Sequence, residues 1–206
     1  MNYVINEFKS CGIVTVEFLN RREMNHVFLR IQESYESPYF RGKPFRIKDF
    51  KERYTEDYGE FNYYTSVQGL NFPGYTLWPF RLGYFNPLTK RERQILIDLD
   101  FITDAHYIIA YTDNDDKVCD HELAHAFYFL HKTYRDSVNR ILENVDLTSI
   151  YKFMKEQDYH KDVWLDESHA WLLNQEDEMC IDTSHLSQVK VDLGRLFTKF
   201  KKKYMR

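Results

Sequence analysis

Cysteine is scarce in this 206-residue chain, and its placement speaks against a disulfide-built fold. Cys11, Cys119 and Cys180 are odd in number and far apart, and no two of them form a CxxC pair. An odd number of widely spaced cysteines is typical of a protein that stays in a reduced intracellular compartment. This pattern predicts a cytoplasmic protein.

Strong net charge and long apolar runs are also lacking. The chain has 28 basic and 32 acidic residues, a net charge of −4, so no electrostatic feature predicts a nucleic-acid partner. No run approaches the roughly 18 apolar residues of a membrane span. The first residues, MNYVINEFKSCG, do not follow the basic-then-apolar layout of a secretory signal. We therefore expect neither a nucleic-acid nor a membrane partner, and no pattern specifies an oligomeric state.

Proline is absent after Pro87, and Gly194 is the only glycine beyond that point. All five prolines and five of the seven glycines lie between residues 38 and 87. This distribution predicts a loop-rich first half with short strands and a mainly helical second half. Because no repeat or linker interrupts the chain, we expect one domain over 1–206. Its loop-rich α+β part, with the sheet, would cover 1–112, and its helical part 113–206.

Local patterns predict the individual elements. Alternation and β-branched residues predict strands at 12–19 and 106–112. Residues 61–77 predict a strand, a turn, and then a second strand or an extended loop. An aspartate within 113–116 is expected to cap the helix that follows. Further helices are predicted at 24–35, at 89–99 with a Thr89/Glu92 capping box, at 147–157, at 163–174, and from 183 or 184 to the end of the chain.

The most informative stretch is HELAH, residues 121–125, an HExxH motif. On a helix, His121 and His125 are about 40° apart, so that both imidazoles can bind one Zn²⁺. Glu122 is rotated by about 100° from His121, where its carboxylate can take a proton from a water on the metal. The opposite face of this helix carries an apolar stripe: Leu123, Ala126, Phe127, Leu130 and Tyr134.

With a predicted strand just before it, this helix resembles the zincin metallopeptidases, in which HExxH lies on a central helix beside a sheet. The resemblance implies an α+β, zincin-like fold, with a small mixed sheet in the N-terminal half packed on the active-site helix. It also implies a zinc-dependent hydrolase in which Glu122 is the general base and a peptide or protein is the substrate. The edge strand of the sheet would hold that substrate in extended form.

A catalytic zinc site needs a third protein ligand, and His131 is one candidate. HELAHAFYFLH has the outer spacing of the metzincin pattern HExxHxxGxxH, with His131 in the position of its third histidine. Tyr128, however, stands where that family has the glycine that ends the helix. We therefore predict that the helix continues through His131 and turns its imidazole away from the metal.

Glu167 is the favoured candidate for the third ligand. Glu167-Ser-His-Ala170 resembles the ExxA pattern on the second helix of gluzincins and of ImmA/IrrE-like peptidases. That resemblance implies that Glu167 completes a His-His-Glu set and that Ala170 lets the two helices approach. Asp166 and His169, expected on different faces of this helix, remain alternative ligands. His169 is also an alternative hydrogen-bond donor to the transition state.

These residues lead to a zinc metallopeptidase as the main hypothesis, with two rivals. In the first rival, the domain keeps the zincin fold but acts as a catalytically inactive metal-binding module with a regulatory or interaction role. In the second, HELAH is coincidental and the protein is a helical interaction domain. The fourth position on the metal separates the first rival from an enzyme, since an enzyme keeps it open to solvent.

Overall fold

A computed structural model of the protein describes residues 2–112, 115–157, 159–174 and 179–205. The chain folds as two units: Met1–Glu7 with Val14–Asn114, and Phe8–Ile13 with Asp115–Arg206. The boundary near residue 114 lies close to the predicted internal boundary at 112/113. That the whole chain forms a single domain stays a prediction. Within the described part of the chain, none of the helices has both the length and the apolar character that crossing a bilayer requires.

The first unit contains a four-stranded mixed sheet with the strand order β1-β2-β4-β3. Its strands are β1 (Tyr3–Phe8), β2 (Ile13–Phe18), β3 (Leu70–Pro73) and β4 (Tyr107–Thr112). Strand β3 pairs antiparallel with β4, and Leu70 lies opposite Ala110. Strands β2 and β4 confirm the predictions at 12–19 and 106–112. Strand β1 lies at an edge of the sheet, with Val4, Asn6 and Glu7 exposed, and it was not predicted.

The helices of the first unit are α1 (Arg21–Glu36), α2 (Ile47–Tyr58), α3 (Tyr63–Ser66), α4 (Trp78–Arg81) and α5 (Lys90–Asp98). Helix α1 confirms the prediction at 24–35. Helix α5 confirms the prediction at 89–99 together with its capping box, because the Glu92 N–H donates to Thr89 Oγ1 at 3.1 Å and the Thr89 N–H to Glu92 Oε2 at 2.7 Å.

The strand predicted at the start of 61–77 is wrong. Helix α3 occupies that place, followed by β3 and a 3₁₀ turn at Gly74–Leu77. The carbonyl of Asn62 accepts hydrogen bonds from the Thr65 N–H at 2.8 Å and from Thr65 Oγ1 at 2.9 Å, which closes a helical turn. Tyr63 is then buried against the ring of Phe50, 5.2 Å away. Local hydrogen bonds and aromatic packing of Tyr63 outweigh the strand propensity of the segment.

Aromatic rings make up much of the core of the first unit. The Phe28 ring lies 5.9 Å from Phe18 and 5.4 Å from Phe72. The core also contains an ion pair, in which Arg30 Nη2 is 2.6 Å from Glu92 Oε2, with both side chains at most 5% exposed. Glu92 thus both caps α5 and neutralises a buried arginine. Removing either partner would leave an uncompensated buried charge.

Gly74 lies where two backbone segments come unusually close. A Cβ atom at this position would be 2.1 Å from the carbonyl oxygen of Thr103 and 2.9 Å from Ile102 Cγ2. We expect Gly74→Ala to destabilise the protein by about 2 kcal/mol or more, because backbone rather than a flexible side chain must move. Gly194→Ala is the matched control. Its Cβ would meet nothing within 4 Å, and it should stabilise a helix by about 0.5–1 kcal/mol. Urea unfolding measures the free energy of unfolding of both variants. Similar changes in the two variants would contradict the close backbone approach at Gly74.

The second unit is helical in most of its described part, from Asp115 onward. Its helices are α6 (Asp116–Leu130), α7 (Lys132–Leu142), α8 (Thr148–Glu156), α9 (Trp164–Asn174) and α10 (Ser187–Tyr204). Helices α8, α9 and α10 confirm the predictions at 147–157, 163–174 and the C-terminal end. The α+β class, with strands in the first half and helices in the second, is also confirmed. The zincin-like fold, including a sheet packed on the motif helix, stays a prediction.

Helix α6 carries the HExxH motif. The side chain of Asp115 caps it by accepting a hydrogen bond from the Val118 N–H at 3.2 Å, as the aspartate-rich segment predicted. Residues 113 and 114 of that segment lie outside the described residues. Of the apolar stripe predicted on this helix, Leu123, Ala126 and Phe127 are buried and Leu130 is half-buried, whereas Tyr134 lies on α7 because α6 ends at Leu130. The buried Phe127 ring lies 5.6 Å from Tyr134 and 5.8 Å from Phe200 on α10.

Candidate metal centre

Helix α6 ends at Leu130, one residue before His131, so the prediction that it continues through His131 is wrong. His131 has extended backbone angles, with φ −111° and ψ 99°, and α7 begins at the next residue. Arg135 supplies a physical reason. Its Nη1 donates to the carbonyl oxygens of Tyr128 at 2.8 Å and Phe129 at 3.0 Å, two groups that a helix end leaves without partners. The helix therefore ends without a glycine.

His131 nevertheless does not join the HExxH histidines. Its ring stacks on Tyr204 with 4.4 Å between centroids and lies 5.9 Å from the Phe127 ring. Among the described residues, the one group suited to hold a metal ion consists of His121, His125 and Glu167. His131 is thus a packing residue of the α6–α7 junction.

His121 and His125, one helical turn apart on α6, meet Glu167 of α9. The two Nε2 atoms are 3.2 Å apart, and Glu167 Oε2 is 4.0 Å from His121 Nε2 and 3.7 Å from His125 Nε2. One potential ligand atom of each residue lies within 4.8 Å of the others. Helices α6 and α9 pack along each other, and Ala170, the small residue of the ExxA pattern, is fully buried. The structure therefore brings together the three residues that the sequence proposed as ligands.

The donor set fits a divalent cation. Two imidazoles and one carboxylate are a common set of protein ligands for zinc at catalytic sites, with the fourth position left to water or substrate. Glu167 Oε2 is buried without an aligned hydrogen-bond donor, although the nearby Trp171 side chain favours the ionised form of the carboxyl group. An ionised carboxylate oxygen in that position is costly unless a cation or a donor compensates it. A cation bound among the three side chains would supply that compensation.

The pKa values of these groups reflect burial and mutual charge. Burial, with Asp166 and Glu122 nearby, raises the pKa of Glu167 to about 7, against the opposing effect of His125. Burial opposes protonation of His125, but the neighbouring carboxylates of Asp166, Glu167 and Glu122 raise its pKa to about 10. Burial and the neighbouring histidines hold the pKa of His121 well below its usual value. A bound cation would favour the carboxylate and the neutral imidazoles that metal binding requires.

Glu122, the predicted general base, is also buried at this site, at 6% exposure. Its charge contributes to raising the pKa of both His125 and Glu167, which places its carboxylate close to the metal-binding group. It does not belong to that group itself. This arrangement agrees with the helical geometry, which turns residue i+1 away from the i, i+4 pair.

Asp166 and His169 share one face of α9, so the prediction of different faces is wrong. Residues three apart on a helix are separated by only about 60°. Asp166 Oδ1 lies 3.1 Å from His125 Nδ1 and 3.3 Å from His169 Nδ1. Neither residue belongs to the metal-binding group. Asp166 approaches His125 at the nitrogen that does not face Glu167.

Trp171 is a neighbour of the site that the sequence analysis did not identify. Its ring meets His121 edge-on, with 5.5 Å between centroids. A signal was available, because Trp171 follows Glu167 by one helical turn and must lie on the same face of α9. Tyr159 lies before α9; its backbone carbonyl accepts a hydrogen bond from Trp164 Nε1 at 2.8 Å, and its N–H donates to the Met154 carbonyl at 3.0 Å.

Comparison with protein families, with curated proteins and with solved structures finds no significant match to this chain. The resemblance to zincins therefore rests on the HExxH and ExxA motifs. The geometry of His121, His125 and Glu167 is an independent observation, since nothing in the two motifs by themselves brings α9 against α6.

Proposed function

We propose that this protein is a zinc-dependent metallopeptidase. The observation that carries the proposal is the position of Glu167 Oε2, at 4.0 and 3.7 Å from the Nε2 atoms of the two HExxH histidines. Without a metal-binding function, two features would both be coincidental: the HExxH motif on a helix, and the buried carboxylate that a second helix brings to it. A protein that uses this set to hold Zn²⁺ explains both features.

His121, His125 and Glu167 would hold the ion. Zinc bound there would polarise the scissile carbonyl and lower the pKa of the attacking water. Glu122 takes the proton from that water as it attacks the peptide carbonyl carbon. It then delivers the proton to the amine that leaves when the C–N bond breaks. Burial of Glu122 in a region of low dielectric strengthens its interaction with the charges that develop.

The substrate class follows from the same resemblance. We propose a peptide or protein substrate and a cytoplasmic location, the latter supported by three cysteines that the structure does not join in disulfides. No nucleic-acid or membrane partner is proposed. The net charge of −4 gives no electrostatic support for a nucleic-acid partner.

One observation favours a second candidate, a catalytically inactive metal-binding module with a regulatory or interaction role. The side chains of His121, His125 and Glu167 are only 9%, 3% and 12% exposed. Structural zinc sites are closed, whereas catalytic sites leave a position that a substrate can reach. Burial of this degree suits a site that stabilises the fold.

Metal analysis and a hydrolysis assay on one preparation decide between the candidates. Protein purified without chelator is expected to contain about one zinc ion per chain. It should cleave a mixture of unrelated peptides, lose that activity with a chelator and regain it with added zinc. Bound zinc without cleavage supports the inactive module. Absence of bound zinc, with no thermal shift on adding it, removes both candidates and leaves a helical domain in which HELAH is coincidental.

A further inference from the structure

A group of basic side chains on the first unit surrounds a stacked pair of rings. The rings of His26 and Tyr64 lie 3.7 Å apart between centroids, with an interplanar angle of 33°. Lys51 Nζ is 5.1 Å from the centroid of Tyr64 and 4.7 Å from that of Phe61. Helices α1, α2 and α3 thus bring His26, Lys51 and Tyr64 together at one place.

Two exposed arginines complete this group. Arg22 precedes His26 by one turn of α1, so the two side chains lie on the same face of that helix. Arg91 lies in the first turn of α5, a helix that packs on α1. Burial, and then the charges of Arg91, Arg22 and Lys51, lower the pKa of His26, in keeping with three cations around its ring. Together with His26 and Lys51, the arginines form what we call the basic cluster.

The cations of the basic cluster are not neutralised by carboxylates. In the part of the first unit that the structure describes, no ion pair includes Arg22, Lys51 or Arg91. Like charges that converge from three helices repel one another, which disfavours the compact state. An anion bound among them would remove this repulsion.

The composition of the basic cluster favours a phosphate group over a carboxylate as that anion. A guanidinium group donates two parallel N–H groups that fit phosphate oxygens, and an ammonium group adds a mobile point charge. A carboxylate has a single negative charge, whereas a phosphate ester has about 1.5 to 2 at pH 7. With its pKa lowered, the His26 imidazole is neutral at this pH and can donate one hydrogen bond.

Acidic side chains limit the cluster on one side. Arg91 lines a surface hollow together with Glu23 and Asp98. A long polyanion, such as a nucleic-acid strand, would be repelled wherever it crossed these two carboxylates. This arrangement favours a compact ligand.

We propose that the basic cluster binds the phosphate group of a small ligand. Inorganic phosphate, pyrophosphate and a nucleotide share this chemistry, and they differ in what they carry besides one phosphate group. The cluster belongs to the first unit, whereas the proposed metal ligands belong to the second. The proposal therefore does not rest on the metal-binding function, and either can fail without the other.

The first test is calorimetric titration of the full chain with sodium phosphate, pyrophosphate or ATP, with the ionic strength held constant by sodium chloride. We expect saturable binding, with pyrophosphate tighter than phosphate because it carries more charge. Arg22→Ala and Arg91→Ala should each weaken pyrophosphate binding about tenfold. Pyrophosphate and ATP of equal affinity assign the site to the phosphate groups alone, and tighter binding of ATP assigns it to a nucleotide.

Arg195→Ala is the matched control, the same change at a side chain that is 75% exposed on α10 of the second unit. It should bind pyrophosphate as the native protein does. Equal weakening in Arg195→Ala and Arg91→Ala would overturn the proposal, and so would the absence of saturation up to about 10 mM pyrophosphate. Urea unfolding identifies a variant that fails to fold, in which case Lys51→Ala takes its place.

The second test follows the ring signals of His26 by NMR, identified by their loss in His26→Gln. Pyrophosphate should shift these signals and move the titration of His26 to higher pH, because a neighbouring anion favours the protonated imidazole. The charged and titratable groups around this ring are Arg22 of its own helix, Lys51 of α2, Tyr64 of α3 and Arg91 of α5. Unchanged His26 signals at saturating pyrophosphate would place the anion elsewhere and overturn the proposal.

Nucleic acid is the alternative ligand that the same assay can reveal. A short single-stranded oligonucleotide should bind no more tightly than ATP if the ligand is compact. An oligonucleotide that binds more tightly than ATP, and that Arg91→Ala weakens, would overturn the assignment to a small ligand in favour of a nucleic-acid backbone.

Discussion

Replacing Glu122 by glutamine is expected to leave zinc bound while reducing peptide hydrolysis by about 10²–10⁴-fold. Glutamine has almost the same shape as glutamate and does not accept a proton, so the attacking water would keep its own. Glu122 does not belong to the metal-binding group, so its substitution should not remove a ligand. Its charge raises the pKa of His125, and losing that charge should if anything help the histidine to bind zinc in its neutral form.

The matched control is Glu156→Gln, the same change on a helix of the same unit at a side chain that is 61% exposed. It should retain native hydrolysis and native zinc content. Initial rates on one peptide, measured with zinc content in the same samples, give the comparison. Full activity in the Glu122→Gln variant would rule out the proposed general base, and loss of zinc in that variant would show that Glu122 supports the metal site instead.

Replacing Glu167 by glutamine is expected to abolish the stabilisation that zinc gives. A metal at a free concentration 100 times its dissociation constant stabilises the folded state by about 2.7 kcal/mol, or about 5–10 °C in Tm for a chain of this size. Without its third ligand, the site should bind zinc too weakly for this shift. In the metal-free protein the variant should be at least as stable as the native one near pH 8. Burial raises the pKa of Glu167 to about 7, so above that pH the fold holds a charge that its surroundings disfavour.

His131→Gln is the control that distinguishes the two candidates for the third ligand. Its ring packs on Tyr204 and Phe127, so the variant should melt at a lower temperature with and without metal. The zinc-induced rise in Tm should nevertheless match that of the native protein. If the rise disappears in His131→Gln and persists in Glu167→Gln, the ligand assignment is reversed and the metzincin-like arrangement applies.

Helices α5 and α6 were predictable because the signals at their N-termini are local. The Thr89/Glu92 capping box and the aspartate cap at Asp115 each satisfy backbone N–H groups within one turn, and the structure contains both. Strand β1 and helices α2, α3 and α4 were not predicted, and α7 was expected only as a continuation of α6. The edge strand has little apolar alternation, and α3 depends on a hydrogen bond of Thr65 and on burial of Tyr63.

The end of α6 shows where sequence reasoning about the site failed. The absence of glycine at Tyr128 predicted an uninterrupted helix, but Arg135 satisfies the free carbonyl groups from the next helix. A cap provided by a side chain several residues away has no short sequence signal. The conclusion that His131 stays away from the metal-binding group still holds, for a different reason, namely its stacking on Tyr204.

The sequence by itself determined the features that depend on helical spacing. His121 and His125 share one face, Glu122 is turned beside them, and Leu123, Ala126 and Phe127 lie opposite, because each follows from about 100° of rotation per residue. Tertiary structure alone decided which residue of α9 meets them. Asp166, Glu167 and His169 are all close in sequence and all chemically suitable, and only the packing of α9 on α6 turns Glu167 towards Nε2 and Asp166 towards Nδ1. Packing of two helices depends on the whole set of side chains between them, which no local pattern specifies.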